Sequence, residues 1–355
     1  MPTQCTQTSC GFHGLGRRPV GAQLDGGESS SDGGGLLLRE VEQRTGIVRQ
    51  FATCLVDHRE GEGVEHTVEE LVGQGVCGLA LGYEDRNDHD QLRSGPLRAV
   101  LVGQSDPQGK NRRRAADCGK ALAGQSTWNR LEWTPAEATA EARYKKIVLN
   151  PEAIDRLRVD VFFEAHPEAP SEIVLDLDAT DDPLHGNQEG RFFHGYYGHS
   201  CSLPLYIFCG EFWLCARLRP SNLEALAGCV EELERIVAQI RGAWPEGKIV
   251  IRGDAGFCRE ELRNWCEAQE VEYVLGLAKN ARLQREIASE MAQAEQQFAA
   301  TGQAARLFRD FRYQTRESWS RARRVVAQAE HLEKGSRPRL VVTSLESEAW
   351  PAQRW

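Results

Sequence analysis

Five apolar runs of strand length lie between residues 172 and 278, and two of them close on an aspartate. They are EIVLDLD (172–178), LPLYIFC (203–209), FWLCARLR (212–219), KIVIRGD (248–254) and VEYVLGLA (271–278). Between the third and fourth runs, Leu223, Leu226, Val230, Leu233, Val237 and Ile240 recur at helical spacing. Ser221, followed three residues later by Glu224, predicts the cap of that helix. REELRNWC (259–266) predicts a shorter helix before the fifth run. The order is β-β-β-α-β-α-β. Three successive strands suit an antiparallel meander, and the later helical crossovers suit parallel strands.

That order is the one found in ribonuclease-H-like folds, so the predicted class is α/β with a ribonuclease-H-like mixed sheet. Alternation places Val174, Asp176 and Asp178 on one face of the first strand, and Leu175 and Leu177 on the other. Two carboxylates on one strand face repel each other unless a cation stands nearby. Either that face is wet, or it presents acids to a metal. In IRGDAGF (251–257) an apolar strand again runs into an acid, with glycines on both sides to let the backbone turn. Ligands of open α/β sheets bind at the carboxyl ends of strands. Asp178 and Asp254 there suit Mg²⁺ or Mn²⁺, because such ions take one or two carboxylates and complete their shell with phosphate oxygens and water. Taken singly, an aspartate before glycine reads as a turn residue.

Around this core the pattern changes. The turn-rich GGESSSDGGG (26–35) precedes a helix from near Leu36 to about Asp57. A second helix opens on the capping box Thr67–Glu70 and continues through Leu71, Val76 and Leu79. Asp85, Asp88 and Asp90 lack the glycine and glutamate of a calcium loop and read as a connector. Asn150 and Pro151 predict a helix start, and Pro167 its limit. After residue 280 one helix is followed by strands at RLFRDFRY, RRVVAQAE and RPRLVVTSL. The expected domains are a mainly helical region at 1–125, a helical connector at 126–170, the core at 171–280, and a helix with a basic β-rich insertion at 281–355.

Charge is uneven. The chain carries −9, yet residues 301–340 hold ten Lys or Arg and four Asp or Glu, so +6 locally and −9 − 6 = −15 elsewhere. In FRYQTRESWSRARR, Arg312, Arg316, Arg321, Arg323 and Arg324 with Trp319 suit a DNA-facing sheet, where arginine meets phosphate and aromatics stack on bases. An ordinary charged sheet face is the alternative. A second basic knot, KNRRR (110–114), reads as a solvated loop. His185, His194 and His199 suit packing or substrate contact more than zinc, and Lys279 suits solvent or a phosphate. Eleven cysteines without a CxxC pair read as reduced thiols. No apolar run is long enough to span a membrane, so a cytoplasmic protein is expected.

Long blocks of the chain resemble DDE-type bacterial insertion-sequence transposases, in particular insertion-sequence family thirteen-eighty. They are RPVGAQLDGGESSSDGGGLLLREVE, LALGYEDRNDHDQLRSGPL, ALAGQSTWNRLE, LDLDATDDPLHGNQEGRFFHGYY, LPLYIFCG, IVIRGDAGFCR, TRESWSRARRVVAQAEH and LVVTSL. The resemblance implies metal-dependent DNA strand cleavage and transfer at terminal inverted repeats, with target DNA as a partner. It also implies a homodimer on DNA and a place at the bacterial nucleoid. Asp178 matches the first acid of the catalytic triad and Asp254 the second. The family's third acid is a glutamate in a motif like Y-x-x-R-G-x-x-E-N-R, which this sequence lacks. Glu346 and Glu348 precede the place where its helix should begin. The resemblance therefore implies a copy truncated before the third acid and impaired in catalysis. Its alternative is a catalytically dead remnant that binds element ends or the full-length transposase. A general metal nuclease is a third reading.

Overall fold

The computed structural model describes residues 9–23, 31–348 and 350–352. The chain divides into two compact units, 1–157 and 158–355.

The first unit begins with a hairpin, Ser9–Leu15 against Arg18–Gln23, and continues as short helices. The single helix expected from Leu36 to Asp57 is two, Gly35–Thr45 and Ile47–Thr53, because Gly46 between them adopts φ 62°. The Glu42 carboxylate accepts the Val48 backbone N–H at 2.7 Å and so caps the second piece. The helix Val68–Ala80 starts at the capping box, where Thr67 Oγ1 accepts from Glu70 N and Glu70 Oε2 accepts from Thr67 N. Its buried side is Leu71 and Val72, whereas Val76 and Leu79 are exposed. Leu71, Ala123, Trp128 and Ile147 form a small core beside the strand pair Leu55–Asp57 and Ile147–Leu149.

The helix Pro151–Ala165 is capped by Asn150, whose Oδ1 accepts from Ala153 N, and it ends before Pro167. The second unit is built on a mixed nine-stranded sheet. Its central order is Phe212–Arg217, Leu205–Cys209, Ile173–Ala179, Ile249–Gly253, Glu272–Gly276. The first two pairings, up to Ile173–Ala179, are antiparallel, and the last three strands are mutually parallel. The basic C-terminal strands extend this same sheet. Arg339–Thr343 pairs with Glu272–Gly276, followed by Arg323–Leu332 and Ala305–Tyr313. The short strands Asp182–Pro183, Phe192–His194 and His199–Ser202 form a separate small sheet, which sequence periodicity did not reveal.

One sheet face makes the core. Leu175, Leu177, Ile207, Ile251 and Leu275 cluster there with Leu233, Ile236 and Ile240 of the helix Cys229–Ala243 and Leu262 of the helix Glu260–Ala268. Each such side chain contributes about 1.5–3 kcal/mol by leaving water. The Cys229–Ala243 helix starts later than its expected Ser221 cap. Gly228 turns with φ 71° just before it, and Ser221 Oγ donates instead to Phe192 O at 2.9 Å. Among the described residues no helix is long and apolar enough to cross a membrane. Cys201 and Cys215 are buried free thiols, and burial pushes that of Cys215 up to about 12.

Candidate metal centre and the basic strands

The opposite face of the first strand is apolar at its start, where Val174 packs against Val250, Val274 and Leu345, and wet towards its carboxyl end. Leu175 and Leu177 are buried, Val174 and Asp176 are half-buried, and Asp178 is exposed. Asp176 is neutralised across the sheet by Arg252, which donates to Oδ2 at 2.7 Å from the strand Ile249–Gly253. That bond holds the Arg252 guanidinium above its ordinary range. Asp178 has no cationic partner among the described residues.

Parallel register sets the second acid beside it. Gly253 pairs with Leu177, so the next residues, Asp254 and Asp178, leave adjacent strand ends together. Adjacent strands lie about 4.8 Å apart. The Tyr197 hydroxyl feels both charges. Burial raises its pKa first, and the negative fields of Asp181, Asp254 and Asp178 add to it. Asp254 Oδ1 accepts the Gly256 N–H at 2.8 Å, which fixes one carboxylate oxygen. Next to the pair, His199 Nε2 meets Asp181 Oδ2 at 2.6 Å, and Tyr197 donates to Ala179 O at 3.4 Å. The His194 ring lies tilted against the Tyr197 ring at 4.8 Å between centres, while His185 and Lys279 are exposed. Asp181 and Tyr197 belong to this locale through the small sheet, a connection between segments that no local pattern signals.

The turn at Asp254 depends on a close approach. A Cβ on Gly276, in the neighbouring strand, would meet Ala255 N at 2.9 Å and the Asp254 carbonyl carbon at 3.1 Å. Gly276→Ala is therefore expected to push the 254–255 backbone away and to cost about 1–3 kcal/mol. The melting midpoint should fall by roughly 2–12 °C. An unchanged midpoint in thermal denaturation would show that the strand end has slack.

Two exposed carboxylates at adjacent strand ends, one held by a backbone N–H and neither neutralised by a cation, are a hard oxygen donor set. They fit a Mg²⁺ or Mn²⁺ ion that draws its other ligands from water and substrate. Among the described residues no three acidic, imidazole or thiol groups are arranged to hold a metal by themselves.

The basic strands differ from expectation. Trp319, Arg323 and Arg324 were expected to face DNA, but all three are buried. Arg323 donates to both oxygens of Glu260, both oxygens of Glu267 and to Asn264 Oδ1. Arg324 grips Asp310 at 2.6 Å and the carbonyls of Leu345 and Trp350. Trp319 packs edge-on against Tyr313 and lies 4.4 Å from the buried Arg263 guanidinium. These donors are filled by the chain itself, so they hold the fold and are not offered to phosphate. Arg312, Arg316 and Arg321 are exposed. Arg312 donates to Ala322 O, and Arg321 pairs with Glu267. Arg316 has no partner among the described residues.

Burial pushes the Glu260 and Glu267 carboxyls up, but the arginines outweigh it. Hydrogen bonds from Arg263 and Ser320 and the Arg323 charge bring Glu260 down to about 2. Bonds from Arg323, Arg321 and Tyr273 bring Glu267 down to about 2.

The chain matches the family described as Transposase DDE domain group 1 over residues 12–353. No curated protein matches it. Among solved structures, a chain of the cryo-EM structure of the piggyBac transposase synaptic complex with hairpin DNA matches at a TM-score of 0.33 and 10% identity. That match covers 88% of this chain and 61% of that one.

Proposed function

This chain belongs to the transposase DDE domain group 1 family, and on that premise we propose that it is an insertion-sequence transposase. Its reaction is metal-dependent cleavage and transfer of DNA strands at the terminal inverted repeats of its own element, and the long sequence blocks support family thirteen-eighty. The strand order, third-second-first-fourth-fifth in the centre of the sheet, supports a ribonuclease-H-like core. The observation that carries the reading is the pair Asp178 and Asp254, unneutralised at the carboxyl ends of adjacent parallel strands.

In this reading the two carboxylates would hold Mg²⁺ or Mn²⁺. Such an ion supplies positive charge for the developing charge of a phosphodiester and lowers the pKa of water or a hydroxyl. The chain's own groups set the geometry. Gly256 N–H fixes one oxygen of Asp254 and so orients the carboxylate that would hold the ion. Arg252 keeps Asp176 out of the site by pairing with it. Tyr197, with its proton held more tightly than usual, is a hydrogen-bond donor at the rim. Arg316, with Arg312 and Arg321, remains a candidate DNA contact on the exposed part of the basic strands. A homodimer on DNA belongs to the same proposal.

Cleavage of labelled linear DNA carrying the element's ends, with Mg²⁺ or Mn²⁺, tests it against Asp178→Ala. Cutting that depends on Asp178 supports the transposase reading. Binding without cutting supports the alternative of a protein that grips element ends only. Equal cutting of unrelated DNA supports a general nuclease.

A further inference from the structure

Of the basic knot KNRRR, the half-buried Arg112 and the exposed Arg113 and Arg114 help to wall a cavity of about 660 Å³ in the first unit. Eight arginines and lysines line that cavity against two carboxylates, Glu65 and Asp117. Arg112 anchors it by donating to the backbone carbonyls of Lys120, Glu65 and Ala121, so its charge is fixed in place without a carboxylate to cancel it. Arg114, Arg130 and Lys146 have no carboxylate within ion-pair distance among the described residues. The local field registers on His66. Burial, then the charges of Arg112 and Arg59, push its imidazole down to about 4, so at neutral pH it stands as a neutral ring. Arg59, Arg93 and Lys120 pair with Asp57, Asp90 and Asp117, and among the described residues the unpaired positive charge of the site is that of Arg112, Arg113, Arg114, Arg130 and Lys146, in a chain of net charge −9.

A second cavity of about 740 Å³ shares the wall formed by Ser126, Arg130 and Tyr144. Tyr144 is exposed, and the Arg130 and Arg143 guanidiniums each lie 4.9 Å from its ring centre. Flat cationic and aromatic groups of this kind stack on nucleobases whatever their sequence. A duplex presents its phosphates on a convex surface, and its bases are stacked inside. A concave anion site beside a stacking wall suits a nucleotide that has left the duplex.

We propose that the KNRRR cavity binds backbone phosphates of an unpaired DNA strand, with a base of that strand against Tyr144 in the adjoining cavity. This rests on the transposase reading for its choice of DNA as the ligand, and it adds a site and a strand state that the Asp178–Asp254 pair does not require.

Binding of the full chain to a fluorescent single strand of about ten nucleotides, and to the same sequence as a duplex, is measured by anisotropy at several salt concentrations. The wild type is expected to hold the single strand more tightly than the duplex. Arg114→Ala, Arg130→Ala and Lys146→Ala combined should weaken single-strand binding at least about tenfold and lower its salt slope by about 2, since each phosphate contact contributes about 0.7. Tyr144→Ala should weaken it about 5- to 150-fold with little change in slope. Arg130→Lys, which keeps the charge, should retain the slope. An unchanged salt slope in the triple variant overturns the proposal, as does an equal loss of single-strand and duplex binding. If the triple variant does not fold, Tyr144→Ala at its exposed ring decides, and wild-type affinity there overturns the proposal. Single-strand binding that is unchanged in the cavity variants, with metal-dependent cleavage present in the wild type, separates the two readings, since this site then fails while the transposase reading stands. A wild-type chain that binds no DNA overturns both.

Discussion

Asp178→Ala and Asp254→Ala are each expected to remove metal-dependent DNA cleavage while leaving DNA binding nearly intact. Each acid sits at a strand end, exposed, with no structural ion pair to lose. Asp254 gives up one hydrogen bond, from Gly256 N–H, and Asp178 gives up none that the described residues show. The fold should therefore tolerate both changes. The reaction should not. Removing one preorganised group that stabilises transition-state charge costs about 10²–10³-fold, and a lost metal ligand should cost at least that. Binding depends on cations elsewhere, so its salt dependence should be unchanged. The measurement is cleavage rate and equilibrium binding of end-labelled element DNA, variant beside wild type. Cleavage within threefold or so of wild type in either variant would place the chemistry elsewhere. Asp176→Ala is the informative contrast. Asp176 shares the strand face but is held by Arg252, so its loss should disturb stability more than chemistry.

Arg323→Ala should unfold the second unit far more readily. The guanidinium is buried and donates to Glu260, Glu267 and Asn264, binding the strand Arg323–Leu332 to the helix Glu260–Ala268. Removing one partner of a buried ionic network leaves uncompensated carboxylates and costs about 3–5 kcal/mol. The melting midpoint should drop by roughly 6–20 °C. The same network predicts a pH window. Glu260 and Glu267 are depressed to about 2 from an ordinary 4.5. A group whose folded pKa is depressed stabilises above its unfolded pKa, and that stability is lost as pH falls through the folded value. The wild type should hold its midpoint above about pH 4.5 and lose it progressively towards pH 2. In Arg323→Ala that dependence should be much shallower, because the carboxylates have lost their strongest partner. A variant midpoint within a degree or two of wild type at pH 7 would refute the account. The expectation that Arg323 and Arg324 contact DNA would instead give a changed salt slope with an unchanged midpoint.

The basic strands show how local pattern misleads. Ten Lys or Arg against four acids within 301–340 look like a cationic surface. In space, Glu260 and Glu267 enter from a helix about sixty residues upstream and absorb the charge of Arg323. Charge along a chain is additive within a window, but the field at a surface depends on which segments meet there. KNRRR reads as a solvated loop, and Lys110, Asn111, Arg113 and Arg114 are exposed, but Arg112 finds three backbone carbonyls and is held at the cavity wall.

The sequence by itself determined the local facts. Period-two alternation named the strand Ile173–Ala179 and told which of its residues face the core. Helical spacing and the Thr67–Glu70 pair located the helix Val68–Ala80. Apolar runs ending in acids singled out Asp178 and Asp254 as strand-end groups. These signals work because a strand or a capped helix is specified by residues within a few positions of one another. Tertiary structure alone decided the rest. It set Asp254 beside Asp178 through parallel register, gave Asp176 to Arg252, and brought Tyr197 and Asp181 up through the small sheet. It also joined Arg339–Thr343 to Glu272–Gly276, so that the basic strands extend the central sheet. Each of these is a pairing between distant segments. Its free energy depends on register and burial, which no short window of sequence contains.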